Sequence, residues 1–422
     1  MLGFRQCGSV CLLLALAFAT SPALGQDEAF REALELYHAG SVEKARGLLL
    51  AAIQSRPSAI DFTLLAVIDT AEGKLDDAER HLRRALKLDP GMLGARLDLA
   101  LVLESKGNLA EASALLHEVL ARDPKNVDAM LYLGSLNLDQ GQYAEAKMWL
   151  ERAQATAPRD TRVLVKLAKL RNVESDREGA LALLLEARKI EPENFGVLYA
   201  FGAVCLEMDL YKDAAASLEE AVRLNPGDLK ARYALASARI ASRKIAAAIA
   251  IYESLLKEEP ENAQINYALG AAHFLAGEND AARKYLNTSI RLMPRQVESY
   301  YYLGEIARQE GDKEKSVELL KSVIDRAPDH VRAHIALGVT YGSLGNLVEA
   351  SREFETAVRL DPQSLKAHYQ LGLVLAKLHE SDRAKRELDL AKQLRESSDD
   401  KVTWELAQPP AGEDHAKVVE KR

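Results

Sequence analysis

Cysteine is nearly absent from this chain. There are three in 422 residues, and Cys7 and Cys11 both fall within the first 25. Without that segment only Cys205 remains, so an intramolecular disulfide is excluded and the fold must be held by packing. Cys205 falls at a packed helical position and reads as a small core hydrophobe rather than a reactive thiol. Aromatic residues make up 6% of the chain and tryptophan occurs twice, while hydrophobic content is 48%. A core of that composition rests on Leu and Ala. A surplus of positive charge is also missing: 55 Lys and Arg face 63 Asp and Glu, a net charge of −8. Nucleic acid wants a basic face, so it is excluded as a partner. Catalytic signatures are missing too, with no His-Glu-x-x-His, no phosphate-cradling glycine loop and no Gly-x-Ser-x-Gly. The expectation is a protein that is not an enzyme by itself and carries no cofactor.

The N-terminus reads as an export signal. Arg5 is the one charge among residues 1–25, Val10 to Ala19 is an apolar run, and Ala23-Leu24-Gly25 offers a small-x-small cleavage site before Gln26. Cleavage would leave a periplasmic or secreted protein of net charge −9. The alternative is an uncleaved anchor, the one circumstance in which membrane association is expected. A span needs about 20 apolar residues, a length that Cys7 to Gly25 reaches only by counting Ser21 and Pro22.

What the chain has in place of these is a clock. Pro57, Pro90, Pro124, Pro158, Pro192, Pro226, Pro260, Pro294, Pro328 and Pro362 are separated by one interval of 33 residues and then by intervals of 34. A fixed period of this size marks a stacked repeat array. With each timing proline at slot 32, slot 24 is Leu82, Leu116, Leu150, Leu184, Leu218, Tyr252, Leu286, Leu320 and Phe354 in successive units. Slot 7 is Leu or Phe from Leu65 to Leu371. Slot 8 is always small, as at Ala66, Gly134, Gly202 and Gly338, and slot 20 is Ala except at Ser316.

Apolar residues recur three and four apart within each half-unit, as in Ala214-Leu218-Ala221-Val222, which specifies a helix. A glycine between the halves (Gly73, Gly107, Gly141, Gly277, Gly311, Gly345) ends the first helix, and the timing proline stops the second. Helices of about 13 residues are marginal alone, so neighbours must hold them. Slots 8 and 20 are expected to face each other where the two helices cross closely, with the large residues of slots 7 and 24 filling the space beside the crossing.

This pattern resembles the tetratricopeptide repeat family, whose unit is a 34-residue helix–turn–helix with Leu-Gly in the first helix, Ala and an aromatic or Leu in the second, and a late Pro. The unit 331–364 carries Leu337-Gly338, Tyr341, Gly345, Ala350, Phe354, Ala357 and Pro362. The resemblance implies an all-α, right-handed superhelical solenoid of about eleven helix–turn–helix repeats. Its units would be 26–58, 59–92, 93–126, 127–160, 161–194, 195–228, 229–262, 263–296, 297–330, 331–364 and 365–398. The first unit is a residue short with Glu32 in place of Leu, and three units carry Ser175, Asp209 and Arg243 in place of the turn glycine. A polar tail follows from 399 to 422, with a short capping helix around Trp404 as one expectation and disorder expected past Pro409.

In this family the first helices line the concave face, where partners bind. Slots 2, 5, 9 and 12 share one stripe of that helix. Slot 5 supplies Tyr199, Tyr233, Tyr267, Tyr301 and Tyr369, and slot 12 adds Leu206, Ile240 and Phe274. Two readings are open: an aromatic trough for an extended or helical segment of a partner, or tyrosines that serve packing. The clamp that some members use for terminal carboxylates needs Lys at slot 5 and Asn at slot 9 of one unit, a pair found in no unit here. His330, His334 and His368 with Asp329 form either a thin metal site or a polar edge of the groove, and the polar edge is the expectation.

Export, array and absent catalytic domain together give the expected function: an exported scaffold that binds partner proteins in its groove, in assembly of an envelope or secretion complex. An accessory role in exopolysaccharide synthesis or export, with tyrosines stacking on glycan, is the first alternative. A regulatory partner of a separate enzyme is the second.

Overall fold

A computed structural model describes residues 28–397. The expected export signal and the expected helix around Trp404 lie outside the described residues. Among those residues the chain forms twenty-two helices and no strand. Two compact units divide it, Met1–Ala238 and Arg239–Arg422.

The N-terminal unit holds α1 (Glu28–His38), α2 (Val42–Ser55), α3 (Ala59–Ala71), α4 (Leu75–Leu88), α5 (Leu93–Ser105), α6 (Leu109–Arg122), α7 (Val127–Asp139), α8 (Tyr143–Thr156), α9 (Thr161–Val173), α10 (Arg177–Ile190), α11 (Phe195–Glu207) and α12 (Tyr211–Leu224). The division falls within α13 (Leu229–Ala241). The C-terminal unit continues with α14 (Ile245–Glu258), α15 (Ala263–Leu275), α16 (Asn279–Leu292), α17 (Val297–Gln309), α18 (Lys313–Arg326), α19 (Val331–Ser343), α20 (Leu347–Leu360), α21 (Leu365–Lys377) and α22 (Ser381–Ser397). No helix among the described residues is long and apolar enough to cross a membrane.

Helices come in pairs, and the two members of a pair are buried differently. In α4 only Ala78, Leu82 and Ala85 are buried, a single stripe facing inward. In α3 every residue from Thr63 to Asp69 is buried. Packing explains the difference. Odd-numbered helices touch their own partner and also the next odd-numbered helix, as α5 touches α7, α7 touches α9 and α9 touches α11 in the N-terminal unit. The same holds for α15, α17, α19 and α21 in the C-terminal one. Within each unit the first helices are therefore clasped on both sides, and the core is built up from neighbour to neighbour.

Sequence dictates the ends of these helices. Residues before a proline are pushed out of the helical region, and Asp89, ahead of Pro90, is extended at φ −132°, ψ 93°. First helices open on polar caps: the side chains of Asn126, Asn194 and Asn262 accept from backbone N–H groups of Ala129, Val197 and Ile265. The turn glycines sit at positive φ, as Gly107 does at 82°. Where glycine is missing the backbone does not change: Ser175, Asp209, Arg243 and His379 take φ between 58° and 66°. The turn geometry is imposed by the pairing of the helices, and these side chains bear the strain.

One expectation about the close crossing is corrected. A Cβ at Gly134 would meet Leu150 at 2.6 Å and the Ala146 carbonyl only at 3.5 Å, and one at Gly338 would meet the Phe354 ring at 2.7 Å. The smallness of slot 8 thus makes room first for the large side chain of slot 24, with the slot 20 backbone behind it. Ser316, the exception at slot 20, is fully buried and its hydroxyl pairs with that of Thr340 at 3.2 Å, so it does not stand unsatisfied in the core. Cys205 is buried in α11, and burial pushes its thiol up to about 11. It is protonated and inert, as a structural cysteine should be.

Candidate functional site: the first-helix faces

The expected groove residues are all half-buried: Tyr199, Leu206 and Tyr233 in the N-terminal unit, and Ile240, Tyr267, Phe274, Tyr301 and Tyr369 in the C-terminal one. Tyr267 and Phe274 pack against the buried cluster of Ala282, Leu286 and Ile306, and Tyr301 packs against the cluster built around Leu320, Leu337 and Phe354. Tyr199 stacks on Phe195, one turn earlier on α11, with ring centroids 6.1 Å apart.

In the C-terminal unit the rings converge on a residue that slot arithmetic passed over. Tyr302 of α17 lies 6.1 Å from Tyr267, 5.2 Å edge-on from Phe274 and 5.3 Å from Tyr301. Tyr267 and Phe274 lie seven residues apart, two turns along one face of α15, so both reach the same ring on the neighbouring first helix. Such edge-on contacts add to area burial and fix ring orientation.

Charge surrounds this aromatic floor. The guanidinium of Arg332 lies 4.8 Å from the centre of the Tyr301 ring and donates to Glu298 at 2.5 Å, a cation held over a π face. Glu298 also meets the His330 ring at 3.0 Å, and that contact, opposed by burial and aided by Arg332, holds its carboxyl below the usual range. Arg308 donates twice to Glu305, at 3.0 and 2.9 Å, a bidentate pair. Burial drives the Tyr301 hydroxyl pKa upward, so the ring keeps its proton. The ammonium of Lys366, at the start of α21, is pushed below the usual lysine range by burial and by Arg308 and Arg332, against the pull of Glu305.

On α5, α7 and α9 of the N-terminal unit polar groups enter this face. Asp98 of α5, Tyr132 of α7 and Lys166 of α9 occupy one slot in three successive first helices. Burial pushes the Asp98 carboxyl up to about 7. Tyr132 is raised by burial, with Asp128 and Asp98 adding to it. Lys166 donates to the Ser135 hydroxyl at 2.8 Å, and Arg162 binds Asp128 at 2.8 Å.

The histidines serve the framework. His334 engages Glu353 through Nδ1 at 2.7 Å and the Pro328 carbonyl through Nε2 at 3.0 Å. His368 repeats the arrangement one unit on, with Glu387 and the Pro362 carbonyl. His330 accepts from the Ala333 N–H and meets Glu298. Every ring nitrogen of the three meets a protein group, and against the expected polar edge of the groove His334 and His368 are buried between the helices of their pairs. Each slot 4 histidine ties a timing proline to its own helix pair, a task that Asn266 performs on Pro260 at 3.2 Å.

Arg308, Glu305, Arg332 and Lys366 lie on the slot 2, 9 and 12 stripe read from the sequence. They are legible there as charges set among the apolar residues of that stripe. Tyr302 sits one residue off the stripe, and the run Tyr300-Tyr301-Tyr302 was its only sign.

Tandem helix–turn–helix pairs whose first helices stack on one another define a helical-repeat protein, and the comparisons name its class. Sequence profiles described as "Tetratricopeptide repeat" match residues 69–118, 103–170 and 239–304 in one form and 199–253, 301–364 and 335–399 in another. A profile for "Anaphase-promoting complex, cyclosome, subunit 3" matches 139–221. No curated protein matches the sequence. Among solved structures the chain is similar to that of the APC/C hetero-tetramer Cut9-Hcn1, at 15% identity and TM-score 0.51, over 90% of this chain and 82% of that one. It is also similar to yeast Tom70, at 14% identity and TM-score 0.47, over 87% and 91%, and to the structure titled for Pseudomonas aeruginosa pilF, at 20% identity and TM-score 0.44, over 50% and 96%. The chain belongs to the tetratricopeptide repeat family, and its fold is that of a protein-binding scaffold.

Proposed function

We propose that this protein is an exported scaffold that holds a segment of a partner polypeptide against the first-helix face of its repeats, in assembly of an envelope or secretion complex. The observation that carries the reading is the convergence of Tyr267, Phe274 and Tyr301 on Tyr302. These rings are anchored on the core and half exposed on the other side, which presents a rigid apolar surface with hydroxyls at low entropic cost. Export is supported by the sequence of residues 1–25 alone.

Photo-crosslinking from position 267 in living cells, with adducts identified by mass spectrometry, tests the binding reading. One dominant polypeptide adduct, lost on Tyr302→Ala, is expected. Adducts to glycan would favour the polysaccharide accessory, and adducts to this chain alone would assign the rings to packing. Cell fractionation with N-terminal sequencing tests export: a mature protein beginning at Gln26 outside the cytoplasm is expected, and a cytoplasmic protein starting at Met1 would end that part of the proposal.

A further inference from the structure

We infer that the Tyr301–Tyr302 face of the C-terminal unit takes an acidic polypeptide segment, whose carboxylates meet Lys366 and Arg332 while its apolar side chains rest on the rings. The inference rests on the reading that this face holds a partner polypeptide, and it names the chemistry of that partner.

Most of the charges at this face are already satisfied. Glu305 is nearly buried and is claimed on both oxygens by Arg308. Glu298 is shared between Arg332 and His330. Lys366 has no ion pair or hydrogen bond within the described residues, although it lies close enough to Glu305, Arg308 and Arg332 to respond electrostatically to each. Three cations thus face two carboxylates, and the surplus sits on the one side chain that is free to move.

Local charge here runs against the molecule as a whole, whose net charge is −8. An acidic segment would be repelled over most of the surface and drawn to this patch, so long-range steering adds to contact specificity. Arg332 contributes a second donor set. Its guanidinium is fixed over the Tyr301 ring and half exposed, with Glu298 and the Tyr302 hydroxyl beside it, and the planar fork of five N–H groups leaves others for a carboxylate. A basic segment would have to displace these cations, and a purely apolar one would leave Lys366 crowded by like charge without gain.

The test uses the full chain and labelled peptides of identical Leu and Ala content that carry Glu, Gln or Lys at the remaining positions. Fluorescence anisotropy is expected to show the Glu peptide binding about tenfold more tightly than the Gln peptide, which one new charge pair supplies. That advantage should shrink with added salt and vanish in Lys366→Gln. Lys366→Gln removes a charge that burial and its neighbours disfavour and breaks no side-chain bond among the described residues, so that variant should melt no lower than wild type, and Lys212→Glu on α12 should bind as wild type does. Equal binding of Glu and Gln peptides, or preference for Lys, would overturn the inference while leaving a polypeptide groove standing. So would failure of every peptide to bind while position 267 still crosslinks to a partner. If no peptide binds and position 267 gives no partner adduct, the inference and the proposed function fall together.

Discussion

Gly202 on α11 has the Leu218 side chain of α12 for a lid: a Cβ placed on Gly202 would stand 2.5 Å from Leu218 Cγ. The same relationship joins Gly270 to Leu286, Gly304 to Leu320 and Gly372 to Leu388, at 2.7, 2.9 and 2.7 Å. One helix of each such pair thus gives up its side chain so that a leucine of the other can seat, and Leu218, Leu286 and Leu320 are fully buried there.

Gly202→Ala is therefore expected to destabilise the protein. Ala gains about 1 kcal/mol of helix propensity over Gly, but displacing a fully buried leucine costs about 1–3 kcal/mol. The balance is a loss of about 1 kcal/mol, read as a lower urea midpoint by circular dichroism. A midpoint raised by the substitution would show that Leu218 moves aside freely and that slot 8 is small for some other reason.

How far the sequence announced the structure follows from what kind of pattern carries each feature. Period, pairing and core register repeat in every unit, so Leu49, Leu82 and Leu150 could be placed from slot arithmetic, and all three are fully buried. Features that occur once have no such support. Tyr302 became the meeting point of three rings because α15 and α17 approach at one spot, and that distance is not written in either helix alone. The pairing of Arg332 with Glu298 joins residues 34 apart, which is one repeat and so in principle legible, but it shows only when charges are read across units instead of along them. The histidines lie near one another in sequence, whereas the contacts that occupy His334 and His368 run to Glu353 and Glu387 on the second helices.

The left-handed turns give the second prediction. His379 and Ser175 hold φ of 64° and 66° at the position that Gly345 and its equivalents occupy. A left-handed residue with a Cβ pays about 1–2 kcal/mol, part of which glycine returns through the entropy of the unfolded chain. His379→Gly and Ser175→Gly are each expected to raise stability by about 0.5–1 kcal/mol, and Gly345→Ala to lower it by a similar amount. Chemical denaturation of the three variants checks this together. Glycine substitutions that destabilise would mean that the side chains contribute more to the turn than their backbone strain costs.

The last prediction concerns Asp98, whose carboxyl is raised by burial to about 7. In the unfolded chain an aspartate titrates near 3.9. Folding therefore binds a proton in the interval between, and the stability tied to this group is fully present below about pH 4 and lost as pH rises through about 7. Above that, the folded protein must keep a carboxylate among the first helices beside Tyr132, which responds to its charge. Asp98→Asn keeps the shape and removes the charge. It is expected to stabilise the protein at pH 8, by an amount on the order of 2 kcal/mol once access to solvent is allowed for, and to make no difference at pH 4, where the aspartic acid is already neutral in the folded state. Paired urea titrations at the two pH values decide the matter. Equal midpoints at pH 8 would show that the carboxylate is well solvated in the groove, and a gain at both would show that Asn packs better for reasons unrelated to charge.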